Sequence, residues 1–323
     1  MSIYSMGGLT LLSANSVDGV SLNKAYDVIG NEVFSASSKT YPVSSNYTAS
    51  LMFDLGAIMS GTQGLAADSI SNELAQLYTG KILMIDADTG AYNQVASALN
   101  MLHGGGGQFK PTKESSEDDY PLLYVSGGKS ITDTENEIYY APLLETKIQN
   151  GSSTFQRVFL ADEGVSYGGG GHYALDFDNG IAYHVYSPTF YDTSDYTYIS
   201  AWDMTSYESI EAPTTNPNPR NGYWKFTNKL DSFTIPFVQE NQSVSFIDGT
   251  IALISDVGNN SVHFVDPEER RTYLVITEDM PSGEIEGIAF LYNSTTNKKD
   301  MVLCSRNNST TDPHNWYYRY QFT

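Results

Sequence analysis

Cysteine is almost absent: Cys304 is the single one in 323 residues. That excludes an intrachain disulfide framework and any cysteine-rich metal site. Its neighbours Met301-Val-Leu-Cys304 read as a strand, so a buried, inert thiol is expected rather than a nucleophile. Basic residues are scarce too. Seventeen Lys and Arg face 38 Asp and Glu, a formal charge of −21. Binding of nucleic acid through its phosphates, or adsorption to anionic membranes, needs the opposite balance. Acidity is compatible with solubility, divalent cations or a neutral glycan, and selects none of them. No stretch approaches the ~18 apolar residues of a membrane span, so no membrane insertion is expected. The N-terminal Met1-Ser-Ile-Tyr-Ser-Met-Gly-Gly lacks the basic and apolar regions of a signal peptide. Without a secretory signal, the Asn-x-Ser/Thr triplets at Asn46, Asn241, Asn293 and Asn308 read as chance in an Asn/Ser/Thr-rich chain. No heptad run is present to enforce a coiled coil, which leaves a homo-oligomer open.

What is plentiful points one way. Tyrosine (24) and phenylalanine (14) abound among Ser and Thr, a mix that favours strands and polar turns. Gly80-Lys-Ile-Leu-Met-Ile-Asp-Ala-Asp-Thr-Gly-Ala-Tyr-Asn-Gln-Val95 returns about 180 residues later as Asn260-Ser-Val-His-Phe-Val-Asp-Pro-Glu-Glu-Arg-Arg-Thr-Tyr-Leu-Val275. Each is an apolar strand ending in Asp, a tight polar turn and a second strand. Asp86 and Asp266 fill the same slot, where a carboxylate accepts hydrogen bonds from turn amides. Tyr173 to Tyr186, turning at Asp178-Asn-Gly180, reads as a looser third copy.

Other hairpins follow: Phe246-Ile-Asp-Gly-Thr-Ile251, and Glu284–Tyr292 with Lys298–Cys304. Pro121–Ser126, Glu137–Ala141 and Thr154–Leu160 form a further set. Asn93–Leu102 is the best helix candidate and also fits an extended segment. Short strands with turn signals every 8–12 residues indicate a sandwich, barrel or propeller. Hairpins recurring every 40 to 50 residues select an all-β, five- or six-bladed β-propeller over residues 51–323. Residues 1–50 differ. Tyr26-Asp-Val and Val33-Phe34 flank an Ile-Gly-Asn-Glu turn that suits a small hairpin or adaptor. Ser35 to Ser50 suits a linker, and an extension draped on the main domain fits equally.

Three patches occur in order: Gln63-Gly-Leu-Ala-Ala-Asp68, His103-Gly-Gly-Gly-Gly-Gln-Phe109 before Tyr120-Pro-Leu-Leu-Tyr-Val125, and Glu284-Ile-Glu-Gly-Ile-Ala289. They resemble the blade-start motifs of β-propellers in phage and prophage tail proteins and some gut-bacterial surface proteins. Lys24-Ala-Tyr-Asp-Val-Ile-Gly-Asn-Glu-Val-Phe34 resembles the segment before the variable C-terminal module of such tail proteins. The resemblance departs at His103-Gly-Gly-Gly-Gly, where the usual Asn is missing. It implies a non-enzymatic virion tail or fibre protein, made in the host cytoplasm and released by lysis. Its N-terminal segment would join tail or baseplate proteins, and its propeller loops would bind a host surface receptor or glycan. A glycan-degrading virion enzyme (hydrolase or lyase) and a purely structural baseplate or fibre component are the alternatives.

His103 and His172 each adjoin a four-glycine run, which lets backbone approach a ligand or pack tightly at the propeller axis. No zinc-ligand spacing accompanies them, and neither run has the context of a phosphate loop. Asp176-Phe-Asp178-Asn-Gly180 could offer oxygens to calcium but lacks the distal Glu; a hairpin turn explains it without a metal. No nucleophile elbow or triad is visible, and Glu284 and Glu286 receive no catalytic role. The expectation is therefore no catalytic residue, no metal and no cofactor. The most suggestive surface is Tyr183 to Trp202. There Tyr186, Phe190, Tyr191, Tyr196 and Tyr198 stand among Asp, Ser and Thr, with Tyr223 and Trp224 after the rigid Asn216-Pro-Asn-Pro-Arg220. Tyrosines on polar loops supply stiff contact area with a hydroxyl handle; an ordinary half-buried strand is the competing reading.

Overall fold

In the computed structural model the described residues are 2–6, 9–13, 16–17, 20–21, 24–26, 32–35, 39–56, 63–78, 81–97, 104–127, 131–132, 139–163, 171–187, 196–212, 219–238, 241–255, 260–307 and 314–323. They fall into two compact units, Met1–Tyr41 and Pro42–Thr323. The first holds antiparallel hairpins: β1 (Ser2–Met6) with β2 (Leu9–Ser13), β3 (Ser16–Val17) with β4 (Val20–Ser21), and β5 (Lys24–Tyr26) with β6 (Glu32–Ser35). The last is the hairpin expected on either side of Ile29-Gly-Asn-Glu32.

The second unit opens with β7 (Tyr47–Asp54) and then folds into groups of four antiparallel strands, its blades, the first two joined in one sheet by parallel pairing of Ala96 and Ser97 with Ser152 and Ser153. Blade 1 is β8 (Leu65–Asp68), β9 (Glu73–Tyr78), β10 (Lys81–Asp86) and β11 (Tyr92–Ser97). Blade 2 is β12 (Gly104–Phe109), β13 (Leu123–Gly127), β15 (Tyr139–Gln149) and β16 (Ser152–Ala161), with the short β14 (Ile131–Thr132) paired to β15. Blade 3 is β17 (Gly171–Asp176), β18 (Ile181–Tyr186), β19 (Tyr196–Asp203) and β22 (Lys229–Pro236). Its excursion β20 (Tyr207–Ile210) and β21 (Tyr223–Phe226) crosses back to pair in parallel with β16 of blade 2. Blade 4 is β23 (Asn241–Ile247), β24 (Thr250–Ser255), β25 (Ser261–Asp266) and β26 (Arg271–Ile276). Blade 5 takes β27 (Glu284–Asn293), β28 (Lys298–Arg306) and β29 (Asn315–Phe322) from the C-terminus and its outer strand, β7, from the start of the unit. The architecture is a five-bladed β-propeller closed by a strand from each end of the unit. Within the five-or-six expected from the hairpin spacing, five are formed by the described residues.

The blades pack through apolar layers, one at each of the five junctions. Middle strands serve two layers at once. On β10, Ile82 and Met84 face blade 2 while Leu83 and Ile85 face blade 5. On β24, Ala252 and Ile254 face blade 5 while Ile251 and Leu253 face blade 3. A strand buried on both faces must be apolar at consecutive positions, which is why these segments read as unbroken runs. Cys304 sits in the layer between blades 5 and 1, 1% exposed, where burial pushes its thiol up.

One expectation is narrowed and two are corrected. Asn93–Leu102, a helix candidate that also fitted an extended segment, takes the extended reading over its described part, residues 93–97 of strand β11, where among the described residues Val95 alone is deeply buried. The linker expected to run to Ser50 ends earlier: the propeller unit begins at Pro42, and β7 at Tyr47, because the polar face of an outer strand faces solvent and reads like linker. The third hairpin copy, Tyr173–Tyr186, is strands one and two of its blade, whereas Asp86 and Asp266 end third strands. Their true counterpart is Asp203, whose carboxylate accepts from Thr205 N (2.8 Å), Thr205 Oγ1 (2.6 Å) and Ser206 Oγ (2.8 Å).

Candidate functional site

Strand direction sorts the loops. In each blade, turns one-to-two and three-to-four lie at one end of the propeller, and connections two-to-three and blade-to-blade lie at the other. Tyr186 ends a second strand and Tyr196 begins the following third strand, so both stand at the latter end. Cross-strand register pairs Tyr186 with Tyr198, His184 with Ser200 and Ala182 with Trp202. Alternation puts these pairs on one face of the blade. The result is a ladder of rings. Tyr173 and His184 stack at 4.8 Å, His184 and Tyr186 at 4.9 Å, and Tyr186 and Tyr198 at 5.4 Å. The ladder runs from the buried Tyr173 to the half-buried Tyr186 and Tyr198. Tyr196, two residues before Tyr198 on the same face of β19, is 50% exposed.

Beneath the ladder lies a charged cluster that the sequence reading did not single out. Glu163 follows β16 of blade 2 and reaches blade 3. Its Oε1 lies 3.2 Å from His184 Nδ1 and accepts from Trp202 Nε1 (2.9 Å) and from Ser200 Oγ. Lys229 pairs with its other oxygen while lying 4.9 Å from the Trp202 ring. Burial alone would push the Glu163 carboxyl up, but the hydrogen bonds and charges of His184, Lys229 and Ser200 outweigh it and hold it at about 2. Burial drives His184 the other way for an imidazole, below its ordinary value. With the carboxylate ionised, His184 donates through Nδ1–H and Lys229 is the counter-ion. Ser200, 1% exposed, donates to this carboxylate, so the cluster clamps blade 2 to blade 3. The legible signal was His184 flanked by Ala182 and Tyr186 on one strand face, opposite Ser200.

The other sequence-selected residues do not converge on this end. Phe190 and Tyr191 lie outside the described residues. Tyr223, 4% exposed, is a core residue of the layer at blades 1 and 2 and offers no ring to a ligand. Trp224, beside it on β21, packs edge-on to Tyr207 and donates to Asn221 O (3.0 Å) on the outer rim. Both follow from β21 joining blade 2.

Of the two glycine-flanked histidines, His103 lies outside the described residues. His172 packs at the axis: a Cβ on Gly105 would fall 1.6 Å from its Nδ1. Close inner-strand packing is thus the role of that glycine, as one of the two readings held. Asp86 and Asp266 are turn residues, accepting from Asp88 N and Thr89 N and from Glu268 N and Glu269 N respectively. In the Asp176-Phe-Asp178-Asn-Gly180 turn, Asp176 accepts from Asn179 N (3.1 Å) and Asn179 Nδ2 (2.8 Å).

No protein-family model matches the chain, and no curated protein matches it. Among solved structures it is similar to the tail fibre of Staphylococcus aureus phage P68, at 12% identity and TM-score 0.45 over 85% of this chain and 53% of that one. This chain thus spans about half the length of that fibre. It is also similar to Myxococcus xanthus glutaminyl cyclase, at 12% identity and TM-score 0.47 over 88% and 100%. A nidogen/laminin complex follows at 9% and 0.40 over 71% and 84%. Likenesses at this level bring no activity or partner with them, and the propeller is defined by its own sheets.

Proposed function

We propose that the protein is a non-enzymatic virion tail or fibre component that binds a host-surface receptor or glycan through propeller loops. Its N-terminal unit would join it to tail or baseplate proteins. The observation that carries this reading is the aromatic end of blade 3, where the Tyr186–Tyr198 stack and the exposed Tyr196 bracket a long connection. Stiff rings anchored by a buried clamp lose little entropy when a ligand covers them. The resemblance of the blade-start patches and of Lys24–Phe34 to phage and prophage tail proteins supplies the setting, a particle assembled in the host cytoplasm. Several copies on one particle would let weak single contacts suffice.

The test is saturable binding of the labelled full chain to bacterial cells, with Tyr196→Ala reducing it roughly tenfold. Release of reducing sugar from host-surface polysaccharide would instead identify a glycan-degrading enzyme. Stable incorporation into particles without cell binding would identify a structural component.

A further inference from the structure

At the opposite end of the propeller the axis opens into a depression of about 480 Å³, lined by residues from all five blades. Its walls are the last residues of the inner strands, and its rim is the strand-one-to-two turns. The space exists because four inner strands place small residues there: Ala67, Gly107, Ser245 and Ala289. Phe109, Phe177, Phe246 and Phe290 flank it.

We propose that this depression binds an organic cation, a primary amine or guanidinium carried on an apolar stem. The charges around it select that class. Four carboxylates, Asp68, Asp176, Asp178 and Asp248, line it against two ammonium groups, Lys110 and Lys299, leaving a formal −2 (4 − 2). Both lysines are engaged, Lys299 with Asp248 at 2.7 Å and Lys110 with Glu114 at 3.3 Å. Asp68 accepts from Ile70 N (3.0 Å) and Ser71 Oγ (2.6 Å), and Asp176 is held by Asn179. Asp178, exposed on the rim, carries neither a cation nor a turn amide among the described residues. A rim carboxylate with no protein partner among the described residues, on a concave site that phenylalanine side chains help to line, offers a cation an ion pair and an apolar stem a place to bury. A neutral sugar would gain the rings and hydrogen bonds but not the charge. This site lies at the other end from Tyr196 and does not depend on the receptor-binding reading.

Saturation-transfer NMR on the full chain tests it, with n-butylammonium as probe, n-butanol as its neutral twin and N-acetylglucosamine as a saccharide. Butylammonium should receive the strongest transfer, and its apparent Kd should weaken at least about fivefold in Asp178→Asn. Glu208→Gln, which removes one exposed charge on β20, should leave it unchanged. Asp178 sits in an exposed turn, so thermal melting should match the parent. Equal weakening in both variants would show mere attraction to an acidic chain and overturn the proposal. So would equal transfer to butanol, preference for N-acetylglucosamine, or no transfer to any probe.

Discussion

Single residues close this ring. The Gln63-Gly and Glu-x-Glu-Gly-Ile patches meet in space: Gly64 N donates to Glu286 O at 2.8 Å where blade 5 joins blade 1. A Cβ on Gly287 would lie 2.6 Å from Leu65 Cβ, 2.7 Å from Leu65 N and 2.8 Å from Gly64 C. Backbone cannot yield as a side-chain tip does, so Gly287→Ala should cost about 2–3 kcal/mol, read from its urea unfolding midpoint. The Glu163 clamp predicts a pH signature. A carboxyl at about 2 in the fold against an ordinary 4.5 stabilises fully above pH 4.5, and that contribution is lost as pH falls from there toward 2. His184, also depressed, favours the fold above its ordinary 6.5 and withdraws that support as pH drops below it. Glu163→Gln, which leaves Lys229 without its counter-ion, should cost about 3 kcal/mol at pH 7. The gap between parent and variant should shrink below about pH 4.5. A gap constant down to pH 3 would remove Glu163 from the acid response.

At the scale of elements, legibility followed burial. Middle strands such as Lys81–Asp86 and Thr250–Ser255 were readable because burial on both faces forces continuous apolar runs. Outer strands were not: β7 shows a mixed, half-exposed pattern and reads as linker, and β11 fits a helix as well as an extended segment. What identifies β7 as a strand is its partner at the far end of the chain, Trp316 opposite Asp54 and Phe322 opposite Tyr47. Pairing of that range leaves no local mark. The β20–β21 excursion was missed for the same reason, and with it the burial of Tyr223. A consequence follows for truncation. Removing residues 1–41 should leave cooperative unfolding of the propeller within a few degrees of the parent. Removing residues 1–54 strips the outer strand from blade 5 and bares the β29 edge, so it should abolish the sharp transition and promote aggregation. Calorimetry and light scattering separate the two. Equal melting of both truncations would mean that the ring does not need its closing strand.

For the whole molecule, the propeller keeps two ends apart on one rigid body. The aromatic end of blade 3 was legible because it is local: Tyr186 ends β18, and Tyr196 and Tyr198 open β19. The axial depression was not, because its lining comes from residues 67 to 299 and no neighbouring pair announces it. Asp178 was read in the sequence as a turn residue, and its place on the rim emerges only once five blades converge. Since the blades are locked by five apolar layers, a change at one end has no hinge through which to reach the other. The two proposals therefore predict a double dissociation. Tyr196→Ala should lower cell binding roughly tenfold while leaving butylammonium affinity within twofold of the parent, and Asp178→Asn should do the reverse. If each variant weakened both, one site or a coupled pair would replace two independent ones. If Asp178→Asn alone abolished cell binding, the receptor would be engaged at the axial mouth, and the tyrosine stack would be a support for blade 3 rather than a recognition surface.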